Sequence, residues 1–286
     1  PEIAAMMATR HFLAIIFAVG FLRLILFSCE CPDYSPNDAH SLSDMNREGD
    51  TCYHVFLDLG ANVGVHCRFL FEPEKYPENH VSKDIFDIQF GTNRDNRDIC
   101  CFEFEANPRH FSELDLKSKS YSSFGWRFIV KKIGVGDENG LRTFYHQSDE
   151  INNEWGFSEL RENNKSMSAE TIEIIRLSDW IKWNVFHRKI PNSTHGNYLH
   201  GSKVVMKIDI EGSEYAVLAD LFSTGVLCEI NFVFGEFHSE KLGIAKLRTF
   251  DQSFIAMLGF CTKCNVTFKL LDDESYLLDG MKLPES

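Results

Sequence analysis

The sequence predicts an α/β fold, a mostly parallel, doubly wound sheet with helices on both faces, preceded by an N-terminal hydrophobic helix. Three observations predict it. Short apolar runs recur along the chain, each followed by polar or glycine residues and then by a stretch with helical spacing. The run Val55-Phe-Leu-Asp-Leu59 opens into Gly60-Ala-Asn-Val-Gly64, a turn whose glycines let the backbone pass close to a ligand. Acids stand directly after successive runs, the level at which such sheets bind ligands.

The N-terminal element is the apolar run from His11 to Phe27, preceded by Arg10 and interrupted by Arg23. At about 17 residues it is short for a spanning helix and long for a signal-peptide core. Residues 1–29 are therefore read as a signal peptide or a type II membrane anchor, and both fit. Because the chain begins with Pro1, either Met6 or Met7 is the natural start or the sequence is a fragment. Residues 30–50 are polar, carry two prolines and lack apolar periodicity, so they read as a stem. Residues 51–286 form one domain of ordinary α/β size.

Within that domain, Val55–Leu59 is the first strand and Val65–Phe71 the first helix. Residues 72–98 are rich in asparagine and acids and read as an insertion, with one short helix near Lys83–Ile88. Ile99–Phe104 is the second strand. Further strands are expected at Phe128–Ile133, Val204–Ile210 and Ile230–Phe234. Thr171–Trp183 and Glu214–Leu221 have helical spacing, and Glu214 suits the first turn of a helix, where its charge complements the dipole.

A net charge of −13 argues against nucleic acid, whose binding needs a lysine and arginine surface. Three features agree with export. The hydrophobic run is one. The sequons at Asn164, Asn192 and Asn265 are another, and nine cysteines, enough for up to four disulfides with one thiol left over, are the third. Zinc is not supported, because Cys261-x-x-Cys264 has no matching pair and adjacent Cys100 and Cys101 are poorly placed to ligate together.

The candidate site gathers beyond the strand ends. Asp58, Gly60, Asn62 and Gly64 follow the first strand, Glu105 the second, and Asp137 the glycine pair Gly134 and Gly136. Asp209 and Glu211 follow Val204–Ile208. Glu105 is placed to accept both hydroxyls of a ribose. A dinucleotide requires Gly-x-Gly-x-x-Gly with an acid about 20 residues on. This chain instead offers Gly60-x-x-x-Gly64 and a distant Glu105. Its acidic surroundings suit a nucleoside cofactor that carries positive charge and no pyrophosphate.

Four blocks now point to a family. Asp58-Leu-Gly-Ala-Asn-Val-Gly64, Phe104-Glu-Ala-Asn-Pro108, Arg176-Leu-Ser-Asp-Trp-Ile181 and above all Lys207-Ile-Asp-Ile-Glu-Gly-Ser-Glu-Tyr215 resemble the FkbM-type methyltransferases in order and character. The resemblance implies a Rossmann-like class I methyltransferase fold, S-adenosylmethionine as cofactor, and methyl transfer to an oxygen acceptor such as a sugar hydroxyl. Ala106 departs from the family's usual proline there. The insertion at 72–98 is the second departure, since it lies between two cofactor-binding strands and is placed to cap the acceptor site.

Such a transfer needs donor and acceptor held in line and a base for the hydroxyl proton. Asp209 and His238 are the catalytic candidates. Lys207, Glu211 and Glu214 are expected to support them, by pairing with an internal acid or bracing the turn, and bracing is an equally open reading for Asp209 itself. No metal is assigned. The reading that results is an O-methyltransferase of the secretory pathway, membrane-anchored with a lumenal domain or secreted, acting on a small-molecule or glycan hydroxyl. A non-catalytic binding module on the same fold is the alternative, favoured if a disulfide through Cys67 or the insertion closes the cofactor turn.

Overall fold

A computed structural model describes residues 46–77, 80–146, 156–160, 167–238, 256, 266–271 and 282–284. The hydrophobic segment 11–27, the stem up to residue 45, and the sequons at Asn164 and Asn265 lie outside the described residues. No helix among the described residues is long and apolar enough to cross a membrane.

In chain order the elements are β1 (His54–Leu59), α1 (Val65–Phe71), α2 (His80–Phe90), β2 (Ile99–Phe104), α3 (Phe111–Ser122) and β3 (Arg127–Lys131). There follow β4 (Gly134–Gly136), β5 (Gly140–His146), β6 (Ser168–Arg176) and α4 (Leu177–Ile181), the last running into one π-turn at Lys182–Phe186. The chain then forms β7 (Val204–Ile208), α5 (Glu214–Ser223), β8 (Phe232–Gly235) and β9 (Thr267–Leu270).

The main sheet has the order β3-β2-β1-β7-β8-β9, and every neighbouring pair is parallel. Strand order therefore reverses between β1 and β7, the crevice where doubly wound sheets bind their ligands. β1, β2 and β7 are buried at every position, as strands covered on both faces must be, which explains their unbroken apolar runs. One core layer holds Val55, Leu57, Phe102, Met206 and Leu218, and the opposite layer holds Phe56, Phe69, Phe86, Leu114 and Val205.

Adjacent Cys100 and Cys101 show how strand periodicity uses both layers. Successive side chains on a strand point to opposite faces. Cys100 is bonded to Cys52 in one core and Cys101 to Cys67 of α1 in the other, so β2 is stapled on both faces. Cys228 is disulfide-bonded as well. Cys29, Cys31, Cys261 and Cys264 lie outside the described residues.

Two regions differ from the sequence-based expectation. Thr171–Trp183 is not one helix. Its first half belongs to β6, where Ile172 and Ile174 are buried and Thr171 and Glu173 exposed, a period of two that the β-branched residues favour. β6 lies between β4, to which it is parallel, and β5, to which it is antiparallel, forming a second three-stranded sheet. The insertion at 72–98 does contain its helix, α2, but the helix lies along one face of the sheet: Phe86 packs on Phe56 and on Phe234, 6.1 Å away, and Phe90 lies 5.0 Å from His54 at the start of β1.

Candidate functional site

The site is a pocket at the β1/β7 crevice, and close approach of the two strand ends makes it. Asp209 N–H donates to Leu59 O at 3.1 Å, and Gly60 follows with φ +76°. A Cβ on Gly60 would stand 1.8 Å from Asp209 O, so glycine is required there. Asn62 takes a left-handed φ of 51°, which its short amide side chain tolerates better than most residues do.

Glu105 anchors this turn to β2. The Asn62 N–H donates to its Oε2 and the Asn107 N–H to its Oε1, both at 2.6 Å. Burial pushes the carboxyl up to about 7, against the pull of the two amides and of Lys207. Glu105 lines the pocket, and each of its carboxylate oxygens can accept more than the one hydrogen bond it has from an amide.

On the pocket floor, Lys207 is buried and donates to Gly60 O at 2.7 Å. Its ammonium also lies 3.3 Å from Asp209 Oδ2 and 3.5 Å from Asp58 Oδ1. Burial works against that charge, but Asp209 and Asp58 outweigh it and raise the pKa above the ordinary lysine value. Asp58 is wholly buried, which pushes its carboxyl up to about 6 although Lys207 pulls the other way. Glu103 sits beside Asp58 in strand register and is also raised by burial, then by the Asp58 charge.

Beyond β7 the chain turns sharply through Asp209–Ser213. Glu214 braces this turn from the first residue of α5, its carboxylate accepting the Ile210 N–H at 2.9 Å and the Gly212 N–H at 3.0 Å. The same carboxylate holds His238 Nδ1 at 3.0 Å. His238 Nε2 faces Glu236 at 3.5 Å, Glu211 at 3.6 Å and Asp209 at 3.9 Å. Burial lowers the affinity of His238 for its proton, but Glu214 and then Asp209 and Glu236 raise its pKa to about 9.

The structure thus brings Gly60, Asn62, Glu105, Lys207, Asp209 and Glu211 to one pocket, with Asp58, Glu214 and His238 directly behind it. Gly64 lies deeper, where a Cβ would meet Phe128 at 2.7 Å and Leu114 at 2.9 Å, so its role is packing of α1. Asp137 is not brought in. It follows β4 on the outer side, half exposed, and pairs with Arg142 at 3.3 Å.

Four contributors escaped the sequence reading. His66 of α1 lines the pocket with Nδ1 3.8 Å from Asp58, and burial, then Lys207, holds its pKa well below the ordinary histidine value. Its position two residues after Gly64 was the available signal. Glu236 comes directly after β8, as the other site acids come after their strands. Phe144 and Phe157 stack with centroids 5.1 Å apart and wall the pocket from the small sheet. No residue of the 72–98 insertion lines the pocket among the described residues. The Cys67–Cys101 bond joins α1 to β2 inside the core and leaves the turn open.

The sequence model of the Methyltransferase FkbM domain matches residues 49–266. The chain belongs to the FkbM methyltransferase family. The match spans β1 through β8, and so covers every residue of the pocket described above except Leu271. No curated protein and no solved structure matches the chain. FkbM membership supports methyl transfer as the reaction class, and the parallel sheet with its pocket at the strand reversal is compatible with an α/β methyltransferase fold.

Proposed function

We propose that this FkbM protein transfers a methyl group from S-adenosylmethionine to a hydroxyl oxygen. The observation that carries the reading is Glu105, a buried carboxylate held by two amides at the reversal of strand order with lone pairs left for a ribose diol. The remaining donor set fits the same cofactor. Lys207 is the only lysine or arginine among the described residues lining the pocket, and Glu105, Asp209, Glu211 and Glu236 line it as well. That charge balance favours a sulfonium over a pyrophosphate.

When bound, S-adenosylmethionine supplies an electrophilic methyl group on its sulfonium. Glu105 would hold the ribose, while Asn62 and Gly60 shape the turn against the nucleoside. Asp209 would take the hydroxyl proton, since it stands at the end of β7 with its carboxylate part-exposed to the pocket and oriented by Lys207. With no cation bound, Glu214, Asp209 and Glu236 raise the pKa of His238 to about 9, so its ring orients the neighbouring carboxylates rather than serving as the base, and a cation on Nε2 would displace that proton.

The acceptor proposed is a glycan hydroxyl in the secretory pathway, with the domain either anchored through residues 11–27 or secreted. The two disulfides that staple β2 support an oxidising compartment, and Asn192 of the Asn-Ser-Thr sequon is exposed. Phe144 and Phe157 offer an aromatic wall on which a sugar ring can rest.

Calorimetric titration of the full chain with S-adenosylmethionine, its demethylated product and NADH tests the reading. Micromolar binding of the two adenosyl compounds, lost in Glu105→Ala, and no binding of NADH is the expected result. A folded chain that binds neither adenosyl compound would leave the non-catalytic binding module as the better account.

A further inference from the structure

Four carboxylates and one imidazole converge beyond the ends of β7 and β8. The ring of His238 is nine-tenths buried, and its Nδ1 is committed to Glu214, which fixes the ring's orientation. Its Nε2 makes no hydrogen bond among the described residues. It points instead at Glu236 Oε1, Glu211 Oε2 and Asp209 Oδ1, at 3.5, 3.6 and 3.9 Å. Those separations are too long for good hydrogen bonds. They come close to the spacing of atoms that share a central ion, because ligands about 2.1 Å from a metal lie about 3.0 to 3.6 Å apart at angles from 90° to 120°. One donor atom each from Asp209, Glu211 and His238 falls within 4.8 Å of the others.

Two further features belong to a metal site. A ligating histidine ordinarily donates its second ring nitrogen to a carboxylate, and Glu214 supplies that partner while also bracing the turn that carries Asp209 and Glu211. The cluster also opens on the pocket, which Asp209, Glu211 and Glu236 all line.

We propose that Asp209, Glu211 and His238, with Glu236 at the rim, bind one divalent transition-metal cation whose open positions face the pocket and receive the acceptor hydroxyl. One imidazole among carboxylates suits manganese better than the soft-ligand metals. The acceptor half of the inference rests on the methyltransferase reading; the metal site itself does not.

Manganese is the probe. The full chain, stripped with a chelator, is titrated with Mn²⁺ and followed by electron paramagnetic resonance. One Mn²⁺ per chain should bind, and pulsed spectra should carry ¹⁴N modulation from a coordinated imidazole. Glu211→Gln and Glu214→Gln should each weaken binding by about 10- to 100-fold. Glu236→Gln, on the rim, tests the same cluster without disturbing the core, and should weaken binding less. Asp115→Asn, a distant surface change, should leave affinity unaltered. No saturable Mn²⁺, bound Mn²⁺ without ¹⁴N modulation, or equal affinity in all four variants would overturn the site. S-adenosylmethionine titrated into the same metal-free sample keeps the two readings apart. Cofactor binding without Mn²⁺ binding refutes the metal alone, and Mn²⁺ binding without cofactor binding upholds the metal while refuting the methyltransferase reading.

Discussion

Two tiers of acids lie a few ångströms apart in this molecule and are held in different ways. The inner tier is Glu103, Asp58 and Lys207, three neighbours in register across β2, β1 and β7. Both oxygens of Asp58 and Oε2 of Glu103 are buried without a hydrogen bond among the described residues, so Coulomb attraction to Lys207, with Lys117 adding to it for Glu103, is what stabilises any charge there. The outer tier, Glu105 and Glu214, lies beyond the strand ends, and there main-chain amides do the holding. Charges held by amides keep their geometry when a neighbour is lost, whereas charges held by one opposite charge do not.

The largest effect should therefore come from the inner tier. Lys207→Met leaves Asp58 buried beside Glu103 with no cation and removes the donor to Gly60 O. A loss of about 3–5 kcal/mol is expected, as for other broken buried pairs. Adding Asp58→Asn should restore part of it. Urea unfolding of the single and double variants checks this, and a double variant no more stable than the single would show that Lys207 does not stabilise Asp58.

In the outer tier the same kind of change should alter binding more than stability. Glu105→Gln keeps the shape and one carbonyl oxygen but cannot accept from both Asn62 and Asn107. Losing a charge-assisted hydrogen bond costs about 1.5–3 kcal/mol, or roughly 10- to 150-fold in affinity for an adenosyl ligand. Calorimetry measures it. Affinity that is unchanged would move the ribose away from Glu105.

Acidity separates the tiers from the molecule's surface. Asp58, at about 6, Glu105, at about 7, and Glu103 all have folded values raised above those of the unfolded chain. The folded protein therefore holds protons that the unfolded chain releases, and stability present below about pH 4 is lost as pH rises toward 7. Asp95, brought down to about 2 first by its hydrogen bond with Arg97, acts oppositely, giving stability above its unfolded value that is lost on acidification. The carboxyls thus lower stability between about pH 4 and 7, by about 1.4 kcal/mol per pH unit for each full proton of difference, a fall that buried His54 and His66 partly offset because both hold their proton less tightly in the folded protein than in the unfolded chain. Thermal scans across that range test it, and Asp58→Asn should flatten the fall.

Legibility in the sequence divides along the same line. The parallel core and the residues after its strands were legible, because buried parallel strands read as unbroken apolar runs and the crevice topology gathers the residues at their carboxyl ends. β2 was read at its full extent, and Glu105 and Asp209 at their positions. Three parts were not legible. Glu103 hides in an apolar run, Ile99-Cys-Cys-Phe-Glu-Phe104, since nothing local marks an acid whose partner lies two strands away. The small sheet was missed because Gly134–Gly136 is too short to show periodicity, and the isoleucines of β6 mimic a helix face. The packing of the 72–98 insertion was not legible because sequence position says that it lies between two site strands, but not along which face of them it runs.

The smallest effect isolates strain from charge at Glu211. This residue has φ 59°, a left-handed conformation that costs an ordinary side chain about 1–2 kcal/mol and glycine almost nothing. Among the described residues, Glu214 accepts the neighbouring Gly212 N–H, Ser158 Oγ donates to Glu211 O at 2.6 Å, and the Glu211 carboxylate faces His238 at 3.6 Å. Glu211→Ala removes the carboxylate and keeps the strain. Glu211→Gly removes both. The glycine variant should therefore be the more stable of the two by about 1 kcal/mol, while both lose the same contact with His238. Unfolding midpoints of the pair read the strain, and the ring-proton shifts of His238 read the charge. An alanine variant as stable as the glycine variant would mean that the turn relaxes once the carboxylate is gone, and that the pull of Glu211 toward His238 is itself what holds the backbone in its left-handed form.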